Sequence, residues 1–81
     1  MHEIGITKDL VESIKNQIQD NPKIEQVKKV FVQLGRDLKI GEDSLKFWFE
    51  RFAQGSKLQG AQVSVTVTEG RTLSVDSLDI E

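Results

Sequence analysis

Cysteine is absent from the 81 residues of this chain, and histidine occurs once, as His2. Without thiols the chain has no disulfide, no thiolate zinc site and no cysteine nucleophile. A single histidine near the start of the chain also argues against a Ser-His-Asp catalytic centre. We therefore expect a protein that is not an enzyme. Any bound transition metal would have to use His2, carboxylates or backbone nitrogen.

Long apolar runs and a strong charge of one sign are absent as well. The 11 basic and 13 acidic residues leave a net charge of -2, whereas nucleic-acid binders carry basic stripes. No run approaches the ~18 apolar residues of a membrane helix, and no apolar signal segment is present. These absences predict a cytoplasmic protein with neither nucleic acid nor a membrane as partner. The length fits one domain, residues 1–81.

Two segments have the periodicity of amphipathic helices. Residues 6–19 place an apolar side chain at every fourth position, and Thr7 is the expected N-cap. The second helix is predicted to begin at Asp43 or Ser44 and to end before Gly55, a C-cap glycine. Its apolar stripe consists of Leu45, Trp48, Phe49 and Phe52. This helical spacing favours core packing over an aromatic binding platform.

Two further segments alternate apolar and polar residues, as strands with one buried face do. They cover residues 25–34 and 62–68. The expected inward side chains are Val30, Val32 and Leu34 in the first strand and Val63, Val65 and Val67 in the second. The expected outward side chains of the second strand are Gln62, Ser64, Thr66 and Thr68.

A third strand follows a short turn at Glu69 and Gly70. Such a two-residue connection with glycine is typical of a β-hairpin, so residues 61–80 are predicted to form two adjacent antiparallel strands. The inward residues of the third strand should be Leu73, Val75, Leu78 and Ile80. Leu73 and Val75 alternate in one register, whereas Leu78 and Ile80 alternate in the other. All four can face inward only if the strand has an extra residue, so we predict a β-bulge near Asp76 and Ser77.

The element order is therefore helix, strand, helix, strand, strand, and each element has one apolar face. Two such helices and a sheet bury their apolar faces best as two layers. We predict an α+β fold in which both helices pack on one face of a three-stranded sheet. The other face of the sheet should be exposed to solvent. Phe31 should lie on this exposed face, because it points away from Val30 and Val32.

The first three residues, Met1, His2 and Glu3, provide several metal ligands within a short span. The terminal amine, the imidazole and the intervening amide nitrogens can chelate one ion in small rings. Four planar nitrogens suit Ni(II) or Cu(II), whereas zinc prefers a tetrahedron. Glu3 can add an oxygen ligand or orient the imidazole. A lone histidine near a terminus, without such neighbours, is usually inert.

Several segments together carry a resemblance to a known family. Met1-His2-Glu3 comes directly before an amphipathic helix. The matching segments further on are VFVQLG at 30–35, EDSLKFWF at 42–49, GAQVSV at 60–65 and, at the end, Leu73-x-Val75-x-x-Leu78-x-Ile80. Over nearly its whole length, the chain resembles the HypA/HybF hydrogenase nickel-incorporation proteins.

The resemblance implies a non-catalytic metallochaperone. Such a protein would bind Ni(II) at Met1, His2 and Glu3. It would pass the ion through protein contacts to a maturation GTPase, and so to a hydrogenase precursor or to a urease. The resemblance alone, and not the spacing of residues, implies these partners.

The chain departs from this family in two places. Family members carry a zinc domain with paired CxxC motifs between their last two strands, where this chain has only Glu69 and Gly70. No zinc is therefore expected, and the chain is either an engineered isolated nickel domain or a naturally zinc-free relative. Some members also carry an acidic residue before the second helix. Here Gly41 takes that position, with Glu42 and Asp43 adjacent.

Other interpretations compete with nickel delivery. One is a protein-interaction module without metal function, and another is a strand-exchanged oligomer such as a homodimer, because a shortened hairpin strains its hinge. A small enzyme ranks last, since no nucleophile, base and oxyanion site converge. The acidic residues Asp76, Asp79 and Glu81 fit a solvated strand end better than a cation site.

Overall fold

The chain forms two helices and three strands in the predicted order. The elements are α1 (His2–Ile18), β1 (Val27–Gly35), a short 3-10 helix (Arg36–Leu38), α2 (Glu42–Ala53), β2 (Gln62–Thr68) and β3 (Leu73–Ile80). This computed structural model describes residues 2–80. Met1, Glu81 and the side chains of His2 and Glu3 lie outside the described residues.

Helix α1 begins at His2, about one turn before the predicted start. Thr7 is fully buried within the helix, so the prediction that it is an N-cap is wrong. It lies four residues before Val11 and therefore on the same face, and burial of that face extends the helix towards the start of the chain. Thr7, Val11, Ile14 and Ile18 all contribute to the side of α1 that is covered by the rest of the protein.

The carboxyl end of α1 is tied to a distant part of the chain by Lys57. Its Nζ atom donates hydrogen bonds to the carbonyl oxygens of Ile18 (3.3 Å), Gln19 (3.5 Å) and Asn21 (3.0 Å). The last carbonyls of a helix have no intrahelical donor and attract positive charge. Lys57 thus holds the end of α1 against the segment that follows α2.

The strand order in the sheet is β2-β1-β3, with β1 in the centre. Strand β1 pairs in parallel with β2 and antiparallel with β3. Leu34 of β1 lies opposite both Val67 of β2 and Leu73 of β3. The predicted hairpin of adjacent strands within residues 61–80 is therefore wrong, because β1 lies between them.

The connection from β2 to β3 crosses the end of β1 at Gly35. The amide of Gly35 donates to the carbonyl of Thr72 (2.8 Å), and the amide of Asp37 donates to the carbonyl of Gly70 (2.9 Å). A Cβ atom at position 35 would lie 2.6 Å from the Gly70 oxygen and 2.7 Å from the Thr72 nitrogen. Glycine is needed here for close backbone approach. Gly70 has a positive φ of 103°, which favours glycine, although its turn does not close a hairpin.

Two β-bulges adjust the register between β1 and β3. In β3, Ser77 lies opposite Phe31 and Val75 opposite Val32, so Asp76 is the extra residue. This confirms the bulge predicted near Asp76 and Ser77. A second irregularity lies between Val27 and Lys29 of β1, which allows Val27 and Val30 to be buried together although they are three residues apart.

Both helices and the inner face of the sheet share one hydrophobic core. Its buried members from α1, β1 and α2 include Val11, Ile14, Val30, Val32, Leu45 and Phe49. Val63 and Val65 of β2 and Leu73, Val75 and Leu78 of β3 pack against it while half-buried. Val67 and Ile80, predicted to face inward, are 50% and 45% exposed. Both lie near the ends of edge strands, where packing is incomplete.

Helix α2 begins at Glu42, one or two residues before its predicted start, and Gly55 follows it with a φ of 77°. Phe49 is 1% exposed, as predicted for the core. Trp48 and Phe52 are only half-buried, and their stacked rings have centroids 5.9 Å apart. The predicted stripe therefore mixes core residues with two aromatic residues at the boundary of the core.

We predict that Phe49→Ala lowers the free energy of unfolding by about 3–5 kcal/mol, because it leaves a cavity in a closed core. Phe47→Ala is the matched control on the same helix. Because Phe47 is 53% exposed, this substitution should lower the free energy of unfolding by under about 1 kcal/mol. Trp48→Ala should fall between them, at about 1–2 kcal/mol. Urea denaturation measures all three. Equal losses for Phe47→Ala and Phe49→Ala would contradict this assignment of the core.

The crossing at Gly35 generates a second prediction. Gly35→Ala should destabilise the protein by about 1–3 kcal/mol, because the new methyl group meets backbone atoms that cannot move independently. Gly5→Ala is the matched control, since nothing lies within 4 Å of a Cβ atom there. Within α1 this exchange should stabilise the protein by about 0.5–1 kcal/mol. The midpoint of thermal unfolding should fall for Gly35→Ala and rise for Gly5→Ala. An unchanged midpoint for Gly35→Ala would show that the backbone atoms at the crossing can move to accommodate a methyl group.

Candidate metal centre at the start of the first helix

The predicted ligands Met1, His2 and Glu3 lie at or beside the first residue of α1. Met1 and the side chains of His2 and Glu3 lie outside the described residues, so their mutual geometry is not part of the structure. The backbone of His2 and Glu3 is described and belongs to the first turn of α1. The predicted ligands therefore directly adjoin a helix start rather than a loop before the helix.

The position of the helix start determines whether the backbone nitrogens of His2 and Glu3 are free to bind a metal. Amide groups in the first turn of a helix have no carbonyl acceptor within the helix. Their protons can be lost to a metal without breaking a helical hydrogen bond. Backbone nitrogens deeper in α1 donate to carbonyls four residues earlier and are not free in this way.

Two pairs of carboxylates were alternative places for a metal. Glu42 and Asp43 are exposed in the first turn of α2, where negative charge interacts favourably with the helix dipole. Asp76 and Asp79 are exposed on β3, and Asp76 occupies the bulge. Among the described side chains, those of residues 4–80, no group of three or more acidic side chains is placed to hold a metal ion.

The aromatic residues of α2 form a partly exposed cluster, so the preference for core packing over an aromatic binding platform is confirmed only for Phe49 among them. The ring of Phe47 meets Trp48 edge-on at 5.1 Å, and Trp48 stacks on Phe52. The guanidinium of Arg51 lies 5.8 Å from the centre of the Phe47 ring. The signal was present in the sequence, because Phe47 lies off the apolar stripe and Arg51 follows it by one helical turn.

The surface grooves do not resemble a catalytic centre. The groove between α1 and β3 is lined by apolar residues together with serines, Asp9, Arg71 and Asp76. Ser56, which lines a different groove, donates from its Oγ to the backbone oxygen of Ala53 rather than to a base. A reaction centre would need a nucleophile paired with a base. Among residues 2–80, no helix is both long and apolar enough to cross a membrane.

Comparison with known proteins gives consistent matches. A family model described as hydrogenase/urease nickel incorporation, metallochaperone, hypA, matches residues 1–79. A hydrogenase maturation factor HypA from Legionella pneumophila is 33% identical over 73 residues, covering 90% of this chain and 64% of the relative. Proteins of the same name from Rippkaea orientalis and Trichormus variabilis are each 34% identical, covering 88% and 86% of this chain.

The chain spans less than two thirds of the length of these relatives. The matched share is 64% for the Legionella protein, 59% for the Rippkaea protein and 58% for the Trichormus protein. Their names describe a maturation factor, and the family description names a metallochaperone. Neither is the name of an enzyme.

Proposed function

The chain belongs to the HypA family of hydrogenase/urease nickel-incorporation metallochaperones, and we propose that it binds one Ni(II) ion through Met1, His2 and Glu3 and delivers it during maturation of a [NiFe]-hydrogenase. Delivery to a urease is the second destination within the same function. The observation that carries the proposal is the start of α1 at His2. It leaves the His2 and Glu3 amides without helical acceptors, directly beside the only imidazole in the chain.

Each proposed ligand has a distinct role. The Met1 amine, the His2 amide, the Glu3 amide and the His2 imidazole supply four nitrogens, a set that suits square-planar Ni(II). The Glu3 carboxylate orients the imidazole or adds an oxygen ligand. The side chain of His2 is large, so Met1 should survive removal of initiator methionine and keep its amine free.

Charge also favours this set of ligands. The positive end of a helix dipole disfavours a bare cation by about 0.3–1 kcal/mol. Two deprotonated amides bring two negative charges to a divalent ion, so the ion and its four nitrogens are neutral together. The helix start therefore opposes the bound complex much less than it opposes free Ni(II).

The proposal treats residues 1–81 as a single nickel-binding domain without a zinc domain. The direct connection of β2 to β3 through residues 69–72 supports it. By family resemblance the partners are a maturation GTPase and a hydrogenase precursor. The proposed compartment, the cytoplasm, rests on the composition of the sequence. A protein-interaction module without metal function is the second candidate, favoured by the aromatic cluster of Phe47, Trp48 and Phe52. Nickel titration of tag-free protein distinguishes the two.

We predict that tag-free protein binds one Ni(II) per chain in calorimetric titration, and that His2→Ala abolishes tight binding. Circular dichroism should remain unchanged, because the first turn of a helix contributes little to the core. Glu3→Ala should weaken binding less, by about 10–100-fold if Glu3 acts on the imidazole rather than on the metal.

One residue added before Met1 should act like His2→Ala, because it converts the amine into an amide and moves the new amine out of chelate register. The matched control carries the same extra residue after Glu81 and should bind nickel like the unmodified chain. Tight nickel binding by the amino-terminally extended protein at neutral pH would show that the site lies elsewhere.

Nickel affinity should fall as pH decreases. Protons compete with the metal for the imidazole, for which the unperturbed pKa is ~6.5, and for the amine and amide nitrogens. Ligands that must lose protons bind best above their pKa values, so affinity should rise with pH and fall steeply below the imidazole range. Titrations at a series of pH values measure this dependence. Affinity independent of pH between about 5 and 8 would argue for carboxylates as the ligands.

A further inference from the structure

Strand β2 is an edge strand that lacks the usual features which prevent edge pairing. It pairs with β1 on one side only. Its sequence, QVSVTVT, contains no charged residue and no proline, and its pairing with β1 runs from Gln62 to Thr68 without a register shift. Edge strands normally avoid association through lysine, proline, bulges or short length. A regular seven-residue edge with five β-branched residues is open to another strand.

The other edge of the same sheet provides a contrast. Strand β3 has a bulge at Asp76, and the carboxylates of Asp76 and Asp79 are exposed along it. A bulge twists an edge away from regular pairing, and charges directly opposite their own copies repel. One edge of the sheet is therefore protected, and the other is not.

The geometry of β2 suits a second copy of itself. If two β2 strands pair antiparallel about a two-fold axis at Val65, Val63 of one copy faces Val67 of the other on the helix side. Val67 is 50% exposed in the single chain and would gain an apolar neighbour. On the other face, Ser64 would lie opposite Thr66, a favourable neutral polar pair.

The surface beside this edge is also self-complementary in charge. Lys29 of β1 and Glu42 and Lys46 of α2 line the groove that runs along residues 62–65 of β2. A two-fold axis brings a surface against itself, so a surface that carries both acidic and basic side chains can place opposite charges of the two copies against each other. A surface with charge of a single sign would repel its copy instead.

We propose that two copies of this chain associate through their β2 edges, antiparallel and about a two-fold axis at Val65, so that their sheets join into one six-stranded sheet. The association goes beyond nickel delivery and does not need the metal. It also differs from strand exchange, because each chain keeps its own β2 paired with its own β1.

The test compares two double variants by sedimentation equilibrium without nickel, from low micromolar to millimolar concentration. Ser64→Lys/Thr66→Lys places lysines opposite lysines across the proposed axis. Ser74→Lys/Ser77→Lys is the matched control, which adds the same charge to exposed positions of β3. The unmodified chain and the β3 variant should show the same monomer–dimer equilibrium. The β2 variant should have a dissociation constant at least about tenfold higher.

Two results would overturn the proposal: an unmodified chain that is monomeric over the whole range, or a β3 variant that loses association as the β2 variant does. A further measurement uses the unmodified chain alone, in case the β2 variant does not fold. Amide hydrogen exchange at residues 62–68 should slow as protein concentration rises, with no comparable change at 73–80. Exchange independent of concentration along β2 would contradict pairing at this edge.

Discussion

The position of β1 between β2 and β3 is the constraint on which the rest of this structure depends. Both neighbours use β1 for their backbone hydrogen bonds, and its inward side chains Val30 and Val32 are fully or almost fully buried. For β3 to reach the far side of β1, the chain must pass across the end of that strand. Gly35 permits the crossing because its lack of a side chain lets the backbone of Gly70 and Thr72 approach.

The two ends of α1 have different environments, and the proposed function uses the difference. Its carboxyl end is held by Lys57, which reaches three backbone carbonyls. Its amino end has backbone amides without helical acceptors, and the first described residues of α1 that belong to or pack against the core are Ile6 and Thr7. A metal that is to be released needs ligands whose rearrangement leaves the core intact. A helix start that can rearrange separately from the packed middle of the helix meets this requirement.

Two surfaces within the described residues are available to partners. The aromatic cluster around Trp48 lies on α2, and the unprotected edge is β2. In a small domain there is too little chain to cover every edge and every large side chain.

Local patterns in the sequence determined the number and order of the two α-helices and three strands, the bulge at Asp76 and the turn at Glu69 and Gly70, because these depend on neighbours along the chain. The proposed ligands Met1, His2 and Glu3 were also identified from the sequence, since a chelate of adjacent residues is a local arrangement. The strand order could not be predicted, because Val67 and Leu73 carry the same local signals whether they pair with each other or both pair with Leu34. The long-range packing that places β1 in the centre decided this, and burial of Thr7 in the same core decided that α1 begins at His2.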